Sequence, residues 1–270
     1  MSETPFTVAV TDGVAHLQFA RPQAANSMTM AFWREFPEAL RQLDRSGKTR
    51  ALVISGQGKH FCSGMDLSVF QSAELQAGNA SIDREAFVHT ILDLQRSLSV
   101  VEEVRFPVIA AVQGACIGAG LDLVATCDLR YAQADAHFRI EEINIGMMAD
   151  VGSLQRLPHK LPDALLREMA FTGATLTAAR AKECGFVNDI ADDPVARALG
   201  VAAEVARRAP LAVAGSKRAI NFARDHSVAE ALEHAALLQG SIWETSDIAA
   251  AIEARKTKTA GKFANLKPRR

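Results

Sequence analysis

Apolar residues along the chain fall first into short strand-like stretches and later into helical spacing. Phe6 to Val10 is an apolar run, Asp12-Gly13 is a turn, and Val14, Leu17 and Phe19 continue on the far side, which predicts a hairpin. Arg21-Pro22-Gln23 breaks that pattern, and Thr29 to Leu43 has helical spacing, with Pro37 expected to kink or split it. Ala51 to Ser55 and Val108 to Val112 are all but uninterrupted apolar runs, as expected of strands buried on both faces. Between them, Arg84 to Ser99 reads as an amphipathic helix. Leu121 to Thr126 reads as a helix opened by Gly114, Gly118 and Gly120, and Asp128 to Ala132 and His137 to Ile140 read as short strands. After Asp150 the spacing turns helical throughout: 153–161, 164–172, 177–184, 193–208, 211–224, 227–238 and 244–254, with Gly173 and Gly185 as stops. Strand–helix alternation followed by helices predicts an α/β core with an α-helical extension.

Composition narrows the class. The chain has 270 residues, 49% hydrophobic, enough for a large core. Its 30 Lys+Arg against 31 Asp+Glu give a net charge of −1, with no basic field to gather phosphates, which argues against a nucleic-acid binder. Cys62, Cys116, Cys127 and Cys184 have no C-x-x-C spacing, so free thiols are expected and neither a zinc site nor a disulfide framework. There is no apolar run of about 18 residues to span a membrane, and the polar, acidic N-terminus does not read as a secretory signal, so a cytoplasmic location is expected.

Candidate chemistry lies at two glycine-containing turns and a set of four carboxylates. Gly114 to Gly120 follows a buried strand and opens a helix, but a dinucleotide-type G-x-G-x-x-G fails because position 123 is Leu. What such a turn offers is main-chain N–H groups for an anion or oxyanion, or simply a tight strand–helix junction. The second turn is Gly58-Lys59-His60-Phe61-Cys62-Ser63-Gly64-Met65-Asp66-Leu67, and no G-x-S-x-G nucleophile elbow occurs here or elsewhere. Asp122, the Glu141-Glu142 pair and Asp150 stand in apolar surroundings. Carboxyl groups in an apolar pocket acquire raised pKa values suited to proton transfer, whereas the bland alternative makes Asp150 the cap of a helix starting near Ser153.

These motifs occur in one order, and together they resemble the enoyl-CoA hydratase/isomerase, or crotonase, superfamily. Arg21-Pro22-Gln23-Ala24-Ala25-Asn26-Ser27-Met28, GKHFCSGMDL, PVIAAVQGACIGAGLDLVATCDLRYA and FTGATLTAARAKECGFVN each resemble a superfamily motif, over about Phe6 to Lys262. The stretch Glu141 to Pro158 is most similar to the Δ3,5-Δ2,4-dienoyl-CoA isomerase branch. The resemblance implies a spiral of ββα turns (1–195) carrying an acyl-CoA site, followed by a helical region (196–270) that builds homotrimers or homohexamers. It implies catalytic Glu142, Asp150 and Asp122, with Asp122 supporting Glu142. Met65 and Ala119 would supply the N–H groups of an oxyanion hole. Substrate would be held at Ala24, Ala25, Asn26, Ser63, Gly64, Asp66, Leu67 and Gly120, and the segment Phe70 to Phe87 would supply pocket walls. The implied substrate is an acyl-CoA thioester, with no metal and no separate cofactor. Enoyl-CoA hydratase or Δ3,Δ2-enoyl-CoA isomerase activity on the same fold is the alternative, and a non-catalytic scaffold a remote one.

Overall fold

The computed structural model describes residues 4–72, 75 and 77–269. Strands β1 (Phe6–Thr11) and β2 (Val14–Phe19) form the expected hairpin, with Phe6 opposite Phe19. Helix α1 (Met30–Ser46) leads to β3 (Ala51–Gly56), then the single turn α2 (Leu67–Phe70) and the long α3 (Ser81–Glu103). Strands β4 (Val108–Val112) and β5 (Ala115–Ile117), helix α4 (Ala119–Thr126), and strands β6 (Leu129–Ala132) and β7 (His137–Arg139) follow. A 3₁₀ turn at Glu142–Ile145 precedes α5 (Ser153–Arg156), α6 (Asp163–Thr172), β8 (Leu176–Thr177), α7 (Ala178–Glu183) and β9 (Asp189–Ile190). Helices α8 (Pro194–Ala206), α9 (Pro210–Asp225), α10 (Val228–Ile242) and α11 (Thr245–Thr257) end the chain's regular structure.

Two sheets rise side by side. The larger has the order β1-β2-β3-β4-β6-β9, parallel from β2 onward, and the smaller is β5-β7-β8. Successive turns of the chain give one strand to each: β4 then β5, β6 then β7. Cys62 starts the same ladder after β3, because its N–H donates to Ala115 O and its carbonyl accepts from Ile117 N–H. This stepwise addition of ββα turns is a spiral. Strand β3 is buried along its whole length because both faces are covered. Leu52 and Ile54 join the main core with Phe19, Phe32, Phe36 and Phe61, while Ala51 and Val53 meet Ala198 and Ala202 of α8.

Three expectations need correction. Pro37 neither splits nor ends α1, which runs unbroken through it. Proline removes the N–H that would bond Trp33 O, and the Ser97 hydroxyl of α3 donates to that carbonyl at 3.0 Å instead. The region after Asp150 is not wholly helical, since β8 and β9 are two-residue strands too short to show any period. The boundary expected at 195/196 falls inside α8, which packs on the large sheet and belongs to the core. Helix α9 is also tied to the core. Its buried Lys217 donates to Val101 O and Phe106 O and pairs with Asp128 at 2.9 Å. Among the described α-helices, only α10 and α11 bury no residue. Among the described residues no helix is long and apolar enough to cross a membrane.

Candidate active site

A cleft of about 480 Å³ opens where the Ser63–Leu67 turn meets the start of α4 and the 3₁₀ turn. The turn is fixed by main-chain bonds. Met28 N–H donates to Gly64 O at 2.8 Å, and Asp66 N–H donates to Met28 O at 3.0 Å. Because Met65 lies between these two bonded residues, its own N–H points the other way, and it has no partner among the described residues. Gly64 has φ +91°, and a Cβ there would sit 3.0 Å from Ile117 O and 3.4 Å from Ala119 N. Only glycine lets the turn come this close to α4.

Ala119 is the first residue of α4, where helix N–H groups lack intrahelical partners. Gly118 before it has φ +53°, and its own N–H is taken by Arg139 O at 3.0 Å. Ala119 itself is not in the left-handed region, so alanine is no hindrance at this position. Like Met65, its N–H has no partner among the described residues. Two main-chain donors from separate elements thus face one opening, Met65 and Ala119 both lining it.

Asp66 locks the turn from its outer side. Its carboxylate accepts from Ser27 Oγ at 2.7 Å and Arg21 Nη1 at 3.0 Å, and caps α2 through Ser68 N–H at 3.0 Å. Hydrogen bonds from Ser68 and Ser27, with Arg21 adding to them, hold it well below the usual carboxylate range. Leu67 stands largely exposed at the lip.

The opposite wall is acidic. Glu142 lines the cleft, with Oε1 only 3.2 Å from where a Cβ on Gly118 would lie. Burial, then the charge of Asp122, push its pKa up to about 7, and Asp150 adds to the effect. Glu142 Oε2 is buried and has no partner among the described residues. Asp122, 1% exposed, does not line the cleft. Its Oδ1 accepts Ser153 N–H at 2.5 Å and its Oδ2 is buried without a partner among the described residues. Burial pushes its pKa up to about 6 despite the Ser153 bonds. Asp150 is half-buried with its pKa also raised by burial, and it too lies outside the cleft's lining. Asp150 does not cap α5: the cap position is Gly152, and the Ser153 N–H goes to Asp122. The Asp150 loop is held from outside, by Gln95 Nε2 on Asp150 O at 2.7 Å and by Arg156, which pairs with Glu102 and donates to Ser99 Oγ.

The other sequence-derived positions divide. Ala24, Ser63, Gly64, Asp66 and Leu67 line the cleft with Met65 and Ala119, but Ala25, Asn26 and Gly120 do not. Asn26 is buried. Its Oδ1 accepts Arg21 N–H while its Nδ2 donates to Gln57 O and His60 O. These bonds hold Ala25 and Asn26 in consecutive left-handed conformations, φ 47° and 56°. Gly120 is a packing position, with Cys62 Cβ 2.9 Å from any added Cβ. Phe70 lines the cleft as expected, whereas Ala73, Glu74 and Gln76 of the same expected wall lie outside the described residues. Ser27, Ile117, Gly118, Glu141 and Ile145 also line it. Ser27 and Glu141 sit inside the motifs already noted, but only the fold shows that their side chains reach the cleft.

The family model described as enoyl-CoA hydratase/isomerase matches residues 9–265. The chain belongs to that family. It is similar to the Delta(3,5)-Delta(2,4)-dienoyl-CoA isomerase, mitochondrial, of Rattus norvegicus, 38% identical over 255 residues, covering 92% of this chain and 78% of the relative. The Delta(3,5)-Delta(2,4)-dienoyl-CoA isomerase, peroxisomal, of Arabidopsis thaliana is 36% identical over 260 residues, covering 94% and 93%. Among solved structures, an enoyl-CoA hydratase from Bacillus anthracis superposes with a TM-score of 0.86 at 27% identity, covering 96% of this chain and 99% of that one. This crotonase-family chain is therefore an isomerase-type enzyme with a spiral α/β core and several C-terminal helices.

Proposed function

We propose that the enzyme converts 3,5-dienoyl-CoA to 2,4-dienoyl-CoA. One proton leaves C2 and one arrives at C6, so both double bonds move into conjugation with the thioester carbonyl. Loss of the C2 proton builds negative charge on the thioester oxygen. The unpartnered N–H groups of Met65 and Ala119 receive that charge, each donor contributing about 2.7–4 kcal/mol to the transition state. Glu142 handles the proton at C2. A pKa raised to about 7 keeps both its forms populated at neutral pH, as a group that accepts and returns protons requires. Asp150 delivers the proton at C6, and Asp122 supports Glu142 from behind as an electrostatic neighbour. The coenzyme enters as part of the substrate, and proton transfer needs neither a metal nor a redox group.

The observation that carries this reading is Asp150. The alternative capping role is taken by Asp122, which leaves Asp150 a half-buried acid whose charge acts on Glu142. Hydration of a 2-enoyl-CoA would instead need a second carboxylate beside the bound water, and Asp122 is fully buried with one oxygen on Ser153, whereas Asp150 is only half-buried. The test offers 3,5-dienoyl-CoA and 2-enoyl-CoA separately. Fast growth of conjugated-diene absorbance with little hydration supports the proposal. Efficient hydration that survives Asp150→Asn would sink it. Exposed Val228, Leu232, Leu237 and Trp243 on α10 and its end also favour assembly of this region into a homotrimer or homohexamer, which sedimentation velocity measures.

A further inference from the structure

A charged pair that the proposed chemistry leaves unused reaches the acidic side of the cleft through Glu141. Arg139, the last residue of β7, pairs through Nε with Oε2 of Glu141, and both atoms are shielded from solvent. Glu141 lines the cleft beside Glu142. Both carboxylate residues flank the same spot: a Cβ on Gly118 would lie 3.6 Å from Glu141 Cβ and 3.2 Å from Glu142 Oε1. Arg139 reaches that spot through its main chain as well, because its carbonyl accepts Gly118 N–H and β7 pairs it opposite Ile117.

The charged groups around Glu142 are Asp122 on α4, Asp150 on the following loop, and the Arg139–Glu141 pair. Asp66 on the opposite wall is already paired with Arg21. Asp122 and Asp150 both oppose ionisation of Glu142. A third unneutralised carboxylate on the adjacent residue would keep Glu142 protonated through neutral pH and deprive the reaction of its base.

Resting on the function proposed above, we propose that Arg139 is a positioning residue of the active site. Its guanidinium neutralises Glu141 and its carbonyl fixes Gly118, so Glu142 faces the substrate with no third bare carboxylate at its side.

The test is the pH dependence of kcat/KM for 3,5-dienoyl-CoA in the wild type, Arg139→Gln, Glu141→Gln and the double variant. A ¹³C-carboxyl NMR titration of Glu142, assigned with Glu142→Gln, runs in parallel. In Arg139→Gln the acidic limb and the NMR midpoint both move up by about one pH unit. In Glu141→Gln they move down, because the guanidinium is then uncompensated. The double variant returns both close to wild type, and Arg139→Lys stays near wild type. An unmoved midpoint in Arg139→Gln, or a double variant that does not return, overturns the proposal. Should Arg139→Gln not fold, Glu141→Gln and Arg139→Lys decide: the first must shift downward and the second must not shift. The NMR titration needs no substrate. An enzyme inactive on dienoyl-CoA whose Glu142 midpoint still follows this pattern overturns the proposed reaction and leaves the pairing standing.

Discussion

One wall of the cleft is main chain held by hydrogen bonds, and the other is carboxyl groups held by burial. On the first wall the N–H groups of Gly64, Asp66 and Gly118 are each engaged, whereas those of Met65 and Ala119 have no partner among the described residues. On the second wall Glu142, and Asp122 behind it, each keep a buried oxygen with no partner among the described residues. Redundancy makes the first wall rigid and chemically quiet. Burial first, and then the mutual repulsion of its carboxylates, makes the second costly to ionise and raises its pKa values. Activity is thus drawn from a fixed receptor for charge and an uncomfortable source of protons.

The acidic wall is where the largest effect is expected. Glu142→Gln removes the group at C2 and should lower kcat by about 10³-fold or more, with KM little changed, measured by diene absorbance. Its stability should move the opposite way. A carboxyl group whose folded pKa is raised from 4.5 to about 7 binds more protons folded than unfolded between those values. Stability therefore falls as pH rises through that window, and the loss is complete above it. The variant escapes this, so thermal unfolding should show it more stable than wild type by about 1–2 kcal/mol at pH 8 and equal to it near pH 4. A destabilised Glu142→Gln at pH 8 would mean the wall is satisfied after all.

The main-chain wall is broken at its closest approach. Gly64→Ala puts a Cβ 3.0 Å from Ile117 O at a φ of +91°, so the turn must draw back from Ala119. The expected loss is about 10²-fold in kcat/KM, similar to removing one oxyanion donor, with circular dichroism unchanged. An intact rate would show that the two N–H groups do not act together.

Asp122→Asn separates charge from shape. Asparagine retains an oxygen for Ser153 N–H but removes the charge that opposes ionisation of Glu142. The acidic limb of the pH profile should move down by about half a unit, with the limiting rate reduced only a few-fold. An upward shift would contradict the order of coupling between the two acids.

How much of this was legible beforehand follows the same divide. Strands Ala51–Gly56 and Val108–Val112 announced themselves as continuous apolar runs because both of their faces are covered. The acidic residues stood out as carboxyls in apolar stretches. Strands β8 and β9 did not, since two residues have no period. Nor did the survival of α1 through Pro37, where the freed Trp33 carbonyl is taken by the Ser97 hydroxyl 64 positions further along the chain from Trp33. Asn26 read as a substrate contact because it lies in a motif, yet its polar atoms are spent on holding the loop, and motif membership does not separate those two tasks. Arg139 and Ser27 could be assigned only once the sheets had brought their partners alongside.

Ser27→Ala sharpens the contrast with the smallest effect. It deletes the 2.7 Å bond to Asp66 Oδ2, but that same oxygen keeps Arg21 Nη1 at 3.0 Å, and Oδ1 keeps Ser68. The turn is also pinned by Met28 through two main-chain bonds that alanine at position 27 does not touch. With so many constraints left, Met65 N–H should hardly move. The expected cost is less than about fivefold in kcat/KM and about 0.5–1 kcal/mol of stability. The Asp66 carboxyl loses one of the bonds that depress its pKa, so it should titrate somewhat higher in an NMR experiment while staying ionised at neutral pH. A loss as large as that of Gly64→Ala would mean that Ser27, which itself lines the cleft, contacts the substrate directly. The first wall would then share the dependence on single side chains that marks the second.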